Sequence, residues 1–174
     1  GSKMEDRKMI TASGGGGVGG CPRNSTSAVK VSCNGGFVLI GGTTCIKVFE
    51  NQKSWKEASD ACRSLENFAF GSPHLARIND CSLLSSLFDY VYYQLNITAD
   101  LWLGGTDSLK EGEWEWENGD PVPVGIPFWH PLQPDGGLNE NKLVFAHNGF
   151  FADGHEDRNQ EFADRITAYI GLRS

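Results

Sequence analysis

Gln133 and Asp135 offer a side-chain oxygen on each side of Pro134, and Glu140 brings a third a little later. They lie in FWHPLQPDGGLNENK, residues Phe128 to Lys142. Hard oxygen donors gathered on an irregular loop are what a calcium ion requires. The same stretch is rich in Pro, Gly, Asn and Asp, which also build ordinary solvated turns, so on this segment alone the turn reading is the stronger one. Other chemistry finds little support. No H-E-x-x-H or nucleophile–base pattern surrounds His130, His147 or the His155-Glu156 pair, so no catalytic site is assigned. No C-x-x-C pair occurs either, which argues against a zinc knuckle or a thioredoxin-type centre.

The chain has 174 residues, enough for one domain with a sizeable core. Its net charge of -7 argues against a nucleic-acid surface or a basic membrane-binding patch. No apolar run approaches a bilayer span. Residues 1–20, ending in GGGGVGG, read as a flexible leader or expression scar, leaving 21–174 as the domain. The five cysteines are Cys21, Cys33, Cys45, Cys62 and Cys81, an odd count that leaves at least one thiol unpaired within the chain and open to pairing with another copy. Two sequons, at Asn24 and Asn96, are glycosylation candidates in a secreted protein. Cysteines among β-like segments, an acidic balance and many Trp and Gly favour an extracellular location.

The elements that must position the loop come next. GFVLI and CIKVFE read as a hairpin turning at Gly41-Gly42, flanked by Cys33 and Cys45 at a spacing that a disulfide can bridge. In SWKEASDACRSL, Ser54 and Glu57 form a capping box, and Trp55, Ala58, Cys62 and Leu65 recur at helical spacing, which puts Cys62 on a buried face. A second helix is predicted after Asp80, with Leu84, Leu87, Phe88, Val91 and Leu95 on one stripe. After Asp100 the pattern changes to short strands, LWLGG, EWEWE, LVFA, GFFAD and TAYIG. A long Pro/Gly/Asn-rich loop interrupts them, and loops of that length in a compact domain are usually functional. The order predicts an α+β domain with two helices, small antiparallel sheets and one long loop.

Read together, CIKVF…SWKEASDAC…HLARI…LWLGGTD…EGEWEWENGDPV…FW…QPD…FFAD resembles the C-type lectin-like domain in its long form, with an extra N-terminal hairpin. The likeness runs from Cys33 to Ile170 and leans toward secreted single-domain lectins of invertebrate innate immunity. It implies a calcium ion that the bound sugar helps to coordinate, on a loop with a cis proline. Matched residue by residue, Gln133, Asp135 and Glu140 are implied ligands, and Asp153 keeps the last position of the family's W-N-D tripeptide. Ala152 stands where that tripeptide has Asn and supplies no side-chain oxygen. The Gln-Pro-Asp order implies galactose-type over mannose-type hydroxyl arrangements. Trp129, just before the loop, is a candidate to stack on the sugar, although packing of the loop is the commoner use in the family. Asp107 and Glu111 match an auxiliary calcium site whose further acidic partners are replaced by Gly136 and Asn141, so plain solvated charge is the preferred reading there.

The resemblance also implies two C-terminal cystines with cysteines at Lys142, near Glu156, and at Gly171, none of which is present. Cys62 thereby loses its partner at Gly171 and is expected to be a buried free thiol. Cys21 with Cys81 is the remaining pairing considered, and Lys142 with Glu156 is expected to substitute an ion pair for a cystine. The function implied is a calcium-dependent, galactose-type lectin acting in pattern recognition or agglutination, with glycans such as microbial surface polysaccharides as partners. The alternative is a calcium-independent protein-interaction domain on the same scaffold.

Overall fold

The computed structural model describes residues 32–65 and 73–156, and the backbone of 165–171. The hairpin forms as β1 (Val38–Ile40) and β2 (Thr44–Phe49), in register Leu39 opposite Cys45. Gly41 and Gly42 take positive φ at the turn, where only glycine is unstrained. Helix α1 (Trp55–Arg63) opens with the reciprocal cap: Glu57 N–H donates to Ser54 Oγ at 3.2 Å, and Ser54 N–H donates to Glu57 Oε2 at 2.8 Å. After the short strand β3 (His74–Leu75), helix α2 (Cys81–Phe88) is capped by Asp80, whose Oδ1 accepts from Leu83 N–H at 2.7 Å.

Helix α2 continues into wider π-type turns over Asp89–Gln94. The stripe predicted from its spacing therefore holds through Leu84, Leu87, Phe88 and Val91 and then fails. Leu95 is exposed and Ile97 is buried instead. The physical reason is that each π turn adds a residue and rotates the following face away from the core.

Strands β4 (Asp100–Thr106), β5 (Glu115–Trp116), β6 (Lys142–Phe145), β7 (Phe151–Gly154) and β8 (Arg165–Gly171) complete the sheet. The path runs β1-β2-β8-β4-β6-β7, with β3 on β8 and β5 on β4. All pairs are antiparallel except β4 with β8. Side chains alternate across the sheet, as strand geometry requires. Leu101, Leu103, Leu143 and Phe145 point into one core with the α2 residues, while Trp102 and Val144 join Ala58, Cys62 and Leu75 in a second core with α1. Each such large side chain contributes about 1.5–3 kcal/mol by leaving water. Gly105 keeps β4 close to β6, since a Cβ there would lie 2.7 Å from Leu143 Cδ2.

Tryptophan indoles stitch these layers together. Trp102 Nε1 donates to Lys53 O at 2.9 Å and Trp55 Nε1 to Leu103 O at 2.7 Å. Cys33 and Cys45 are disulfide-bonded across 5.6 Å between Cα atoms. Cys81 is also disulfide-bonded, and the Cys21 end of the expected Cys21–Cys81 pairing lies outside the described residues. Cys62 is a free, fully buried thiol. Burial, then the Glu117 charge, pushes its thiol well above the ordinary range. A maleimide reagent is therefore expected to leave Cys62 unlabelled in the folded protein and to modify it after denaturation; rapid labelling of the native state would contradict its burial.

Candidate functional site

The long loop leaves β5 and returns at β6 with little regular structure beyond a single 3-10 turn at Gly137–Asn139. Trp129 pins its middle. The indole is 4% exposed, donates to Pro123 O at 2.9 Å and packs edge-on against Trp114 and Phe151. Of the two uses considered for Trp129, packing of the loop is the one found: the ring is buried and offers no free face for stacking on a sugar.

The second half of the loop is fastened to β7. The Gln133–Pro134 peptide is cis. Gln133 Nε2 donates to Asp135 Oδ1 at 2.7 Å, and Gln133 Oε1 accepts from Asp153 N–H at 3.2 Å. The Asp153 carboxylate receives two loop amides, Asp135 N–H at 3.1 Å and Gly136 N–H at 2.7 Å. Glu140 follows the 3-10 turn and faces the same group. Oxygen atoms of Asp135, Glu140 and Asp153 all lie within 4.8 Å of one another. With Gln133, Gly136 and Asn139 they line an open depression of about 540 Å³.

Three carboxylates at this spacing repel one another, and a divalent cation relieves that repulsion. The donors are all hard oxygens, a set that fits calcium and not the Cys/His environment preferred by zinc. Gln133, Asp135 and Glu140 of the loop and Asp153 of β7 are thus brought to one place. Ala152 is half-buried on β7 opposite Val144 and adds no donor.

Asp107 and Glu111 lie in the turn after β4. Asp107 is only 3% exposed, which corrects the reading of it as solvated surface charge. Its Oδ2 accepts from Gly112 N–H at 2.9 Å while Oδ1 is buried with no partner among the described residues. Burial, together with the like charge of Asp153, holds the Asp107 carboxyl above its usual range. Glu111 is shifted in the same direction by desolvation and by Asp107 and Asp153, so the two acidic groups share one electrostatic neighbourhood.

The sequence did not disclose two positioning residues. Gly136, noted only as a missing acidic partner, is required for its lack of a side chain: a Cβ there would sit 2.3 Å from the Glu140 Cβ. Lys142, noted for Glu156, is a hub. Its Nζ lies 3.6 Å from Glu156, donates to Ser108 Oγ at 3.0 Å and Thr106 Oγ1 at 3.3 Å, and stands 4.3 Å above the Trp55 ring. The histidines have separate partners: His147 lies 3.5 Å from Asp100, and His130 packs on Phe150. Asn96 is exposed with φ 54°, whereas Asn24 lies outside the described residues.

An α+β domain whose helices flank one sheet, with an acidic depression on a long cis-proline loop, defines a class of small binding domains with a candidate cation site. The Lectin C-type domain family matches residues 51–164, and the chain belongs to that family. An alpha-N-acetylgalactosamine-specific lectin of Patiria pectinifera is 30% identical over 129 residues, covering 72% of this chain and 71% of the relative. A C-type lectin mannose-binding isoform of Oxyuranus scutellatus is 29% identical over 100 residues, covering 58% of this chain and 60% of the relative. The chain therefore spans about three-fifths of that relative's length. Among solved structures, the C-type lectin CEL-I from Cucumaria echinata superposes with a TM-score of 0.66 at 21% identity, covering 82% of this chain and 100% of that one. A calcium-independent type II antifreeze protein superposes at 0.63 with 19% identity, covering 82% and 96%. These superpositions show the fold. No helix among the described residues is long and apolar enough to cross a membrane.

Gly136→Ala is expected to cost about 1–3 kcal/mol by overpacking against Glu140. Thermal unfolding in EDTA measures it, and the Gly136→Ala/Glu140→Gly double variant should recover most of the loss. Additive losses in the double variant would show that the two residues do not meet.

Proposed function

We propose that this chain is a calcium-dependent carbohydrate-binding lectin that selects galactose-type hydroxyl arrangements and acts outside the cell in pattern recognition or agglutination, without catalysis. The observation that carries this reading is the convergence of Gln133, Asp135, Glu140 and Asp153 on one open depression. These four side chains would hold a calcium ion, which would supply a Lewis-acid site for vicinal sugar hydroxyls, and the same side chains offer those hydroxyls hydrogen-bond partners. The Gln133–Asp135 order sets which side of the sugar meets an amide donor and which meets a carboxylate acceptor. Asp107 and Glu111 are the proposed auxiliary cation pair, favoured by the orphaned Asp107 Oδ1. The domain is taken as residues 21–174. Secretion is supported by the Cys33–Cys45 disulfide and the exposed sequon at Asn96.

A second reading, a calcium-independent binding surface, is favoured by Ala152 and by the rim of the loop. Leu109, Val124, Ile126, Leu132 and Leu138 are each at least 71% exposed, more than any other large apolar residue described. Such side chains suit contact with a partner surface and contribute nothing to a metal.

Retention on galactose resin in calcium, with release by EDTA, separates the two readings. Asp135→Ala is expected to abolish retention while unfolding in EDTA changes by about 1 kcal/mol or less, because Asp135 is exposed. Calcium at a hundred times its Kd should stabilise the wild type by about 2.7 kcal/mol and the variant far less. No retention on galactose even in calcium would favour the second reading, and retention that survives both EDTA and Asp135→Ala would remove calcium from the sugar site.

Ala152→Asn is expected to tighten calcium binding in calorimetric titration by restoring a fifth side-chain donor. Unchanged affinity would remove position 152 from the metal site.

A further inference from the structure

Away from the acidic loop, a cleft of about 380 Å³ opens between the end of α1, strand β3 and the turn after β5. Its lining is Arg63, Pro73, His74, Arg77, Glu117 and Asn118. That volume falls within the usual range of about 300–1,000 Å³ for small-ligand sites. The hydrogen bonds inside it decide which groups are already satisfied.

Glu117 Oε1 accepts from Arg63 Nη2 at 2.7 Å and also from Ser59 Oγ. Arg63 is therefore neutralised by a carboxylate that is itself tied down to α1. His74 Nδ1 lies 2.8 Å from Leu75 O, an acceptor only, so Nδ1 carries the proton. Nε2 is then a lone pair, and Arg77 Nη2 donates to it at 2.9 Å. The imidazole is neutral in this arrangement, and burial and the Arg77 charge both oppose its protonation. Its role is to aim Arg77.

Arg77 is half-buried, and no ion pair with a carboxylate is formed by it among the described residues. Two guanidinium groups thus face one carboxylate in the cleft, leaving a net positive charge on a chain whose total is -7. A partly desolvated guanidinium bonded only to a neutral ring is an uncompensated charge with free donors in a planar fork. A planar or tetrahedral oxyanion is the group that such a fork binds in pairs of hydrogen bonds. The exposed Asn118 amide, beside the Arg63–Glu117 pair, already donates to Asp120 Oδ2 at 2.6 Å and accepts from Asp120 N–H at 3.2 Å, and keeps one N–H and one lone pair for a hydroxyl.

We propose that this cleft is a second, metal-independent binding site for an acidic sugar, with Arg77 clamping its carboxylate or sulfate and Asn118 meeting its hydroxyls. The site is independent of the acidic loop. A ligand bearing both a neutral terminal sugar and an acidic unit engages the domain at two places. The negative field of the rest of the chain opposes long-range attraction, so binding is short-range and, for a single sugar unit, on the order of millimolar.

The test is calorimetric or NMR titration in EDTA at constant ionic strength, with sodium glucuronate, galactose 6-sulfate, inorganic sulfate and galactose as probes. One or both acidic sugars should bind saturably and galactose should not; which one binds separates a carboxylate from a sulfate site. Arg77→Gln should weaken that binding at least tenfold, and Asp135→Ala should leave it unchanged. Arg77→Lys keeps the charge but loses the fork, and should also weaken binding if Arg77→Gln fails to fold. Absence of saturable binding by either acidic sugar, or binding unaltered in the Arg77 variants, would overturn the proposal. Inorganic sulfate binding as tightly as the sugars would overturn its sugar part and leave a simple anion hole.

Discussion

The Asp153 carboxylate is the contact on which the acidic depression depends. Asp153 belongs to β7, which is held in register by β6, with Leu143 opposite Asp153 and Val144 opposite Ala152. From that fixed position both carboxylate oxygens receive loop amides, and the Asp153 N–H reaches back to Gln133. Three hydrogen bonds thus transfer the precision of the sheet to a loop that has almost no regular structure of its own. Charge-assisted bonds of this kind are stronger than neutral ones, and Asp153 is only 7% exposed, so water competes poorly for them. The same contact concentrates negative charge. Asp153 is felt at Asp107 and Glu111 as well as by Asp135 and Glu140. The residue that holds the loop together thus also concentrates acidic groups there.

The rest of the fold serves to hold β7 and the loop's other end still. Phe151, two residues before Asp153, is fully buried and touches Trp116, Phe128 and Trp129. Trp129 in turn closes the first half of the loop through Pro123. Aromatic burial therefore fixes one half of the loop and carboxylate–amide bonding the other. At the next corner stands Lys142, where the sequence resemblance implies a cysteine. Its ammonium gathers a carboxylate, two hydroxyls and an indole face from three other segments. Exposed ion pairs are worth about 0–1 kcal/mol, but this side chain is largely buried and makes several contacts at once, so its value exceeds that of a surface pair.

Much of this was legible from the order of residues. The Ser54/Glu57 box, the Asp80 cap, the Gly41-Gly42 turn and the alternation around Trp102 are local signals, each enforced by hydrogen bonds or side-chain periodicity within a few positions. The ligand-type residues Gln133, Asp135, Glu140 and Asp153 were legible through a motif. What was hidden is non-local. Nothing near Leu95 announces that α2 widens at Asp89, where Val91 and Ile97 rather than Leu95 end up in the core. The burial of Trp129 and Asp107 depends on segments far away in the chain. Gly136 illustrates the limit best: its residue type was visible, yet its role is set by a side chain that approaches only after the 3-10 turn folds.

The two polar regions of the molecule differ in how their charge is balanced, and that difference follows from the elements that carry them. In the loop depression, carboxylates from a loop and a strand converge with only amide donors between them, so a mobile cation is the natural counter-charge. In the cleft beside α1, the arginines come from the helix end and from the segment after β3, and one of them already has Glu117. There the excess is cationic, the donors are fixed by a neutral histidine, and the natural counter-charge is an oxyanion that need not bring a metal with it. The two faces of the sheet are covered by separate helices, and the two excesses are carried by different sets of side chains. Their separation makes each region's chemistry removable without dismantling the other.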